Sequence, residues 1–521
     1  MQQVLDSTNA ARKTKYHLGV HALAVASFSW LWAATALASP KEPTAPQAAN
    51  FSNLLRSRVV TSETIPYQKL AARMAHYGVP GVAVAIIENG EVVFAQGYGV
   101  TQQGSDEAVN ADTLFSVGSV SKMITAALTL KMAEQQQVDL NNDIRPQLAS
   151  WRLPESEFMA ADGMNLRMLL SHTAGLNIHG FADYQPGEAL PNVLQTLNGE
   201  HPAKNEALTL VSRPGERYRY SGGGYTLVQQ LLSETAQQSF PALTKDVLTK
   251  PLGMARSTFQ NPLPESVKNV AKAHNRDGDA VALPRGYESF PEMAASGFWT
   301  SANDLSKFVQ MLLKSYTQGG YLSQAMAIDM MTRVAPSQHG LGPRVEGVGD
   351  QFMFHHGGAN DSYRAWIEGH LATGNGLVVL TNGSNGSSLF VEIRNAVADA
   401  MEWKINQAVK VPSIKISPQQ LETYTGQYEV NESFPLPLRQ QMAAMQGVMN
   451  VRLEGQQLKL TSERSGRSYD LLPVTPDQFI VQGISLRLGT PMLQFYRNAK
   501  NQVQGIRFVM SIAENYLSPI N

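Results

Sequence analysis

The sequence contains no cysteine. Disulfides, thiolate metal sites and cysteine nucleophiles are therefore excluded together. It also lacks an excess of either charge, with 42 basic residues against 43 acidic ones in 521 positions and no basic patch. A chain without an electropositive face is a poor nucleic-acid binder, so no nucleic-acid partner is expected. There is no low-complexity tract and no repeat of 20–50 residues, which argues against disorder and against a solenoid. No Gly-x-Ser-x-Gly elbow occurs, which removes the usual signature of an α/β-hydrolase nucleophile.

Long apolar runs are also scarce. The one that approaches the ~20 residues of a membrane span lies at the start, from Leu18 to about Ala34. Arg12, Lys13 and Lys15 precede it, and Ala36-Leu37-Ala38 and Ser39-Pro40 follow. A basic stretch, an apolar core and an Ala-x-Ala site read as a signal peptide over residues 1–38. An uncleaved anchor is the alternative. His21, Ser27, Ser29 and the small residues at the end of the run favour cleavage. The expectation is a secreted or periplasmic protein with no stable membrane span.

Residues 39–65 are rich in Pro, Ala, Ser and Thr and read as a linker. Tyr67 to Tyr77 has helical periodicity. Val82–Ile87 and Val92–Ala95 flank Asn89-Gly90, a strong hairpin signal because that turn needs positive φ. A helix is expected from about Val120 to Gln135, a buried strand over 376–381 and an amphipathic helix over 389–408. Between these, residues 140–345 mix helices with Pro- and Gly-punctuated loops. An early hairpin, a long helical insertion and a late strand with a closing helix fit one α+β domain, residues 66–410, whose two ends share a sheet. Beyond Val411-Pro412 the pattern changes to short alternating runs: Thr425–Val430, Met449–Leu453, Gln457–Thr461, Ser468–Val474, Gln478–Val481, Leu493–Tyr496 and Val503–Val509. Residues 415–521 therefore read as a separate all-β, barrel-like domain.

Three stretches carry chemistry. The first is Ser119-Val120-Ser121-Lys122, the single Ser-x-x-Lys in the chain, placed where a strand-like run meets a helix. Positions i and i+3 share a helix face, so the lysine amine can reach the serine oxygen. A burial-depressed lysine can then serve as its base. On this evidence alone Ser119 fits a helix cap as well. The second is Tyr220-Ser221 before Gly222-Gly223-Gly224. A phenolate stabilised by nearby cations can act as a general base, and a core tyrosine before a turn is the alternative. The third is His355-His356-Gly357-Gly358-Ala359, where glycines on an edge strand allow a substrate backbone to pair and a histidine can donate a hydrogen bond into the cleft. A surface histidine pair is one alternative. A metal site is another, but no His-x-x-x-His or acidic ligand cluster accompanies the pair, and no metal or cofactor is expected.

In this order the three elements resemble the penicillin-recognising serine hydrolases, which comprise class C β-lactamases, low-molecular-weight D,D-peptidases and their esterase and D-aminopeptidase relatives. Phe115 through Lys122 match Phe-x-x-Gly-Ser-x-x-Lys. Pro214, Gly215, Tyr220 and Ser221 match the setting of the family's Tyr-x-Asn. His356-Gly357-Gly358 matches its His-x-Gly, although His355-His356-Gly357 fits too. His356 is preferred because Tyr363 then falls seven residues on, where relatives carry an aromatic. Leu169–Leu176, Pro251–Met254 and Ser296–Leu305 agree with flanking stretches of the family. Ser171 and His172 fall in a stretch that is structural in the family and are not read as catalytic.

The resemblance implies an antiparallel sheet with helices on both faces and a large helical insertion, and a lipocalin-like C-terminal domain. It implies Ser119 as nucleophile, Lys122 as base, Tyr220 as proton-shuttling partner and His356 in the third motif. Backbone N–H groups of Ser119 and Ala359 would form the oxyanion hole beside Gly357 and Gly358. Two departures stand out. Gly222 occupies the place of the family's Asn, and a histidine replaces the lysine that grips a substrate carboxylate. Both argue for a D,D-peptidase, D-amino-acid peptidase or esterase acting on small D-amino-acid peptides or esters. A class C-like β-lactamase is the alternative enzyme. A penicillin-acylated sensor or peptidoglycan-binding protein is the alternative of another class.

Overall fold

The computed structural model describes residues 45–159, 163–283, 285–428, 448–463, 466, 468–482 and 492–509. The expected signal peptide, residues 1–38, lies outside them. Six helices frame the larger part: α1 (Leu70–Tyr77), α2 (Ser121–Glu134), α3 (Gly222–Ala236), α4 (Met293–Ser296), α5 (Ala302–Gln318) and α6 (Gly386–Ala400). Its strands are β1 (Gly81–Glu88), β2 (Glu91–Gly99), β3 (Arg344–Glu346), β4 (Met353–Ala359), β5 (Arg364–His370) and β6 (Asn375–Thr381). They form one antiparallel sheet in the order β2-β1-β6-β5-β4-β3.

The hairpin between β1 and β2 turns at Asn89 (φ 51°) and Gly90 (φ 79°), both left-handed, as the Asn-Gly pair requires. Strand β1 is apolar on both faces because both are covered. Val82, Val84 and Ile86 pack under α1 and α6, whereas Ala83, Ala85 and Ile87 face the larger core that contains α2 and α5. The sheet closes across the length of the chain, with Val82 opposite Thr381 and Ile87 opposite Gly376. Helix α2 is buried around nearly its whole circumference, from Ser121 to Leu130. A helix without a polar face belongs inside a core, and this one is held from all sides.

The stretch expected as a linker is corrected over its described part. Ala48, Phe51 and Leu55 are fully buried, Arg56 pairs with Asp399 at 2.6 Å, and Val59–Val60 form a parallel ladder with Val409–Lys410. Apolar residues spaced among the Ser and Thr positions anchor it. The helix expected over 389–408 begins at Gly386 and ends at Ala400. Glu402 takes a left-handed φ of 55° after it, and the ladder to Val59 follows.

The C-terminal region is a meander of seven antiparallel strands: β7 (Gly426–Tyr428), β8 (Met449–Glu454), β9 (Gln457–Ser462), β10 (Ser468–Thr475), β11 (Gln478–Val481), β12 (Met492–Arg497) and β13 (Val503–Val509). It is barrel-like and nearly closed. Its core includes Tyr424, Leu458, Leu460, Leu471, Phe479 and Phe495. Val59 and Val411 pack with Val474, Ile480 and Met492 where the two parts meet.

One buried ion pair ties the sheet to α6. Glu368 on β5 is 1% exposed and accepts hydrogen bonds from Arg394 Nε (2.6 Å) and Trp366 Nε1 (2.8 Å). Burial opposes its charge, yet Arg394 and its hydrogen-bond donors hold the carboxyl down to about 2. Because this value is depressed, its stabilisation is present above the ordinary carboxylate range and is lost as pH falls towards 2. Glu368→Gln strands the buried Arg394 charge and should lower unfolding free energy by about 3 kcal/mol. Urea unfolding of the two proteins measures this, and coincident midpoints would contradict it.

Candidate active site

Ser119 sits in a single 3-10 turn, Gly118–Val120, directly before α2. Lys122, one turn on, is 2% exposed. Its Nζ donates to Ser119 Oγ at 3.2 Å and to the Ala295 carbonyl of α4 at 2.8 Å. Burial lowers the Lys122 ammonium to about 7, with the nearby Glu292 carboxylate acting in the opposite sense. A lysine in this state is a neutral amine for a large part of the time at neutral pH.

Tyr220 precedes α3, whose first turn is capped by Ser221: its Oγ accepts from Gly224 N at 3.0 Å. His172 pins both neighbours of Tyr220. Its carbonyl accepts from Arg219 N (2.8 Å), and its Nδ1 accepts from Ser221 N (3.0 Å). The His172 ring lies 4.1 Å from the Tyr220 ring, and His179 is 5.0 Å away on another side. Lys122 Nζ is 5.0 Å from the centre of the Tyr220 ring. Burial raises the Tyr220 phenol to about 12, outweighing Ser119 and Arg344, which pull the other way. A phenol raised in this way keeps its proton near neutral pH.

Strand β4 is a free edge only in part. β3 pairs with Met353, Phe354 and His355, and the pairing ends there, so His356 to Ala359 form the open stretch. Alternation separates the two histidines. His355 stacks on Trp366 at 4.9 Å, on the α6 side, with its Nε2 3.0 Å from Glu346. His356 faces Tyr220 and His339, with ring centres 6.5 and 6.0 Å away. Burial keeps the His356 imidazole neutral. Its Nδ1 contacts the Gly357 carbonyl at 2.7 Å. A carbonyl can only accept, so Nδ1 carries the proton and Nε2 is a lone-pair acceptor. That Nε2 is buried without a hydrogen-bond partner among the described residues. The expected hydrogen-bond donor is thus an acceptor.

The open stretch lies hard against the nucleophile turn. A Cβ on Gly358 would stand 1.8 Å from the Val117 carbonyl oxygen, and one on Gly118 (φ 48°) 2.7 Å from Ala359 N. Only glycine permits this approach, which brings the Ala359 backbone beside Ser119. Asn360 Nδ2 donates to Ser116 Oγ at 2.7 Å and fastens the end of the strand. Tyr363 is fully buried, and its hydroxyl donates to the Ala271 carbonyl at 2.8 Å.

Ser119, Lys122, Tyr220, His356, Gly357, Gly358 and Ala359 all line one cavity of about 870 Å³. Sequence reasoning missed Phe181, Asp183 and Arg344, which line it too. No spacing pattern marks them, because Phe181 and Asp183 come from one irregular loop and Arg344 from a strand far along the chain. Phe181 accounts for Gly222: a Cβ there would meet the Phe181 ring at 3.0 Å and the His179 carbonyl at 3.2 Å. An aromatic ring thus fills space around the position where relatives carry an amide. Arg344 lines the cavity with its guanidinium 3.3 Å from the Tyr218 hydroxyl. Among the described residues no group of three or more His, Asp or Glu side chains is placed to hold a metal ion, and no helix is long and apolar enough to cross a membrane.

A serine beside a buried lysine, at the foot of a helix and next to a glycine-rich sheet edge, defines a serine acyl-transfer site. The chain belongs to the β-lactamase family, whose model, described as Beta-lactamase, matches residues 68–402. Gigasin-6 of Magallana gigas is 27% identical over 45% of this chain and 76% of its own length. Protein flp of Staphylococcus aureus (strain N315) is 22% identical over 58% of this chain, which spans 60% of that protein. Among solved structures, the octameric penicillin-binding protein homologue from Pyrococcus abyssi aligns with a TM-score of 0.57 at 20% identity, covering 84% of this chain and 98% of that one. D-alanine carboxypeptidase AmpC from Burkholderia cenocepacia aligns at 0.50 and 20% identity, covering 64% and 96%. At these identities the structures establish the fold.

Gly358→Ala tests the close approach. The added methyl must push β4 away from Val117, so kcat/KM should fall at least about 100-fold, the scale of losing one oxyanion donor. Unchanged kinetics with an unchanged fold by circular dichroism would contradict it.

Proposed function

We propose that this protein is an exported serine hydrolase that works through an acyl-enzyme on Ser119, acting as a D,D-peptidase, D-amino-acid peptidase or esterase on small peptides or esters. The observation that carries the reading is the 3.2 Å contact between Ser119 Oγ and the buried amine of Lys122. In the neutral state Lys122 takes the Ser119 proton as Oγ bonds to the substrate carbonyl carbon. The resulting oxyanion is held by the Ser119 and Ala359 N–H groups. On collapse the carbonyl re-forms, the bond to the leaving group breaks, and the proton passes from Lys122 through the Tyr220 hydroxyl to the departing atom. Water, deprotonated along the same path, then frees the acyl group and returns the proton to Ser119.

The neutral His356 supports peptidase or esterase chemistry over β-lactam turnover. Where relatives place a cation for a substrate carboxylate, this cleft offers a lone pair. Arg344 favours the second reading, a class C-like β-lactamase, because its charge faces the same cavity. Intact-protein mass spectrometry with a penicillin and with an activated D-alanyl ester tests both. The expected result is an adduct absent in Ser119→Ala, persistent with penicillin and transient with the ester. Rapid clearance of both adducts would establish the β-lactamase, and an adduct retained in Ser119→Ala would overturn the assignment.

The Phe181 ring ties the missing amide to its surroundings. Gly222→Asn alone must displace that ring and should lower ester turnover several-fold. Combined with Phe181→Ala, the same substitution should recover ester turnover and raise penicillin turnover. Steady-state rates for the two variants decide, and identical rates in both would show that Phe181 does not control the position.

A further inference from the structure

Glu292 lies immediately before α4, 2% exposed, and the acyl-transfer path outlined above does not use it. Its Oε1 accepts a hydrogen bond from Ser296 Oγ at 2.8 Å. Ser296 lines the catalytic cavity, as does Ala295, whose carbonyl holds Lys122 at 2.8 Å. Glu292 and Lys122 thus converge on consecutive residues of one short helix. Neither has an ion-pair partner within 4.0 Å among the described residues, and both are enclosed by the same core.

The remaining charged and titratable groups around Lys122 are a carboxyl, phenols, imidazoles and one guanidinium; the carboxyl is Asp183 on the same cavity, which burial raises to about 8. Tyr220 and Tyr225, on the α3 side, are phenols held neutral by burial, and Lys122 Nζ lies 5.6 Å from the centre of the Tyr225 ring. His172, His179, His339 and His356 are imidazoles that burial keeps uncharged, and Arg344 is a cation. Burial raises the Glu292 carboxyl to about 7, while Ser296 and Lys122 pull it down; in its ionised form it is the negative charge that acts on Lys122 from this surround.

We infer that Glu292 is a positioning residue for the acyl-transfer reaction, a buried counter-charge that sets the basicity of Lys122 through α4. The inference rests on the Ser119–Lys122 reading. When Lys122 takes the Ser119 proton it becomes a buried ammonium. The Glu292 carboxylate stabilises that ammonium, and Ser296 keeps the carboxyl oriented. Without the carboxylate the amine is a weaker base, so it stays deprotonated to lower pH but accepts the Ser119 proton less readily.

The test is the pH profile of kcat/KM for the activated D-alanyl ester, with unaltered protein and Glu292→Gln. The glutamine amide oxygen still accepts from Ser296, so the contact survives while the charge is lost. Removing a negative charge lowers an ammonium pKa. The acid limb should therefore move to lower pH by about 1 unit, the low end of what one nearby opposite charge does. The plateau should fall at least about 10-fold, and Glu292→Asp should return the limb towards its original position. A limb at the same pH with a uniformly scaled plateau would mean that Glu292 is only structural and would overturn the inference. Glu292→Gln that retains the Ser119-dependent adduct but shows no limb shift sinks this inference alone. Loss of the adduct in the unaltered protein sinks the underlying reading. Should Glu292→Gln fail to fold, carbon-13 NMR of the unaltered protein decides. The Lys122 Cε and Glu292 Cδ signals should shift together over one pH range, as a coupled pair does, and well-separated transitions would overturn the inference.

Discussion

The burial of one ammonium group governs much of this structure. Lys122 is enclosed by α2, α3 and α4, and a charged amine there is costly unless it sheds its proton or finds an opposing charge. Helix α2 must therefore be buried around its circumference, which its Met-Ile-Thr-Ala-Ala-Leu sequence allows and which needs the helical insertion packed against it. The Ala295 carbonyl must point inward, which the short helix α4 arranges. Ser119, one turn before that amine, lies 3.2 Å from it as a result of this packing.

The second constraint is the approach of β4 to the Ser119 turn. Gly118 and Gly358 are required because a Cβ on either would meet backbone across the gap. The two aromatic flanks of the cleft divide the work. Tyr220 is fixed by His172 from below and stays protonated. His356 hands its own proton to the Gly357 carbonyl and turns a lone pair towards the cavity. Most residues lining the cleft are uncharged, and Lys122, Asp183, Arg219, Arg344 and Asp361 are the titratable exceptions besides its histidines and tyrosines. Charge that develops beside buried groups such as Lys122 and Tyr220 is felt more strongly than in water.

Much of this was legible in the sequence, for physical reasons. The Asn-Gly hairpin, the all-apolar β1 and the seven alternating C-terminal runs reflect local rules of turn chemistry and period, and each forms close to its expected bounds. Ser119, Lys122, Tyr220 and His356 carry recognisable neighbours, and all four reach one cavity. What was not legible depends on enclosure and on long-range geometry. The anchoring of Phe51 and Leu55 needs partners more than 300 positions away. The neutral state of Tyr220 follows from how completely the insertion covers it. The tautomer of His356 is set by a carbonyl one residue on, and Phe181 meets Gly222 through a loop with no periodic pattern.

The pairing of β1 with β6 has a consequence for how the molecule comes into being. The central seam joins a segment near the start of the domain to one near its end, so a loop of nearly the whole domain must close before the sheet exists. Helix α2 can form early, but the strand that completes its cleft and the seam that fixes that strand come late in the domain. A growing polypeptide released before residue 375 would hold Ser119 and Lys122 without the seam that fixes the sheet beside them. The order of synthesis thus leaves the groove beside Ser119 incomplete until most of the domain has been made.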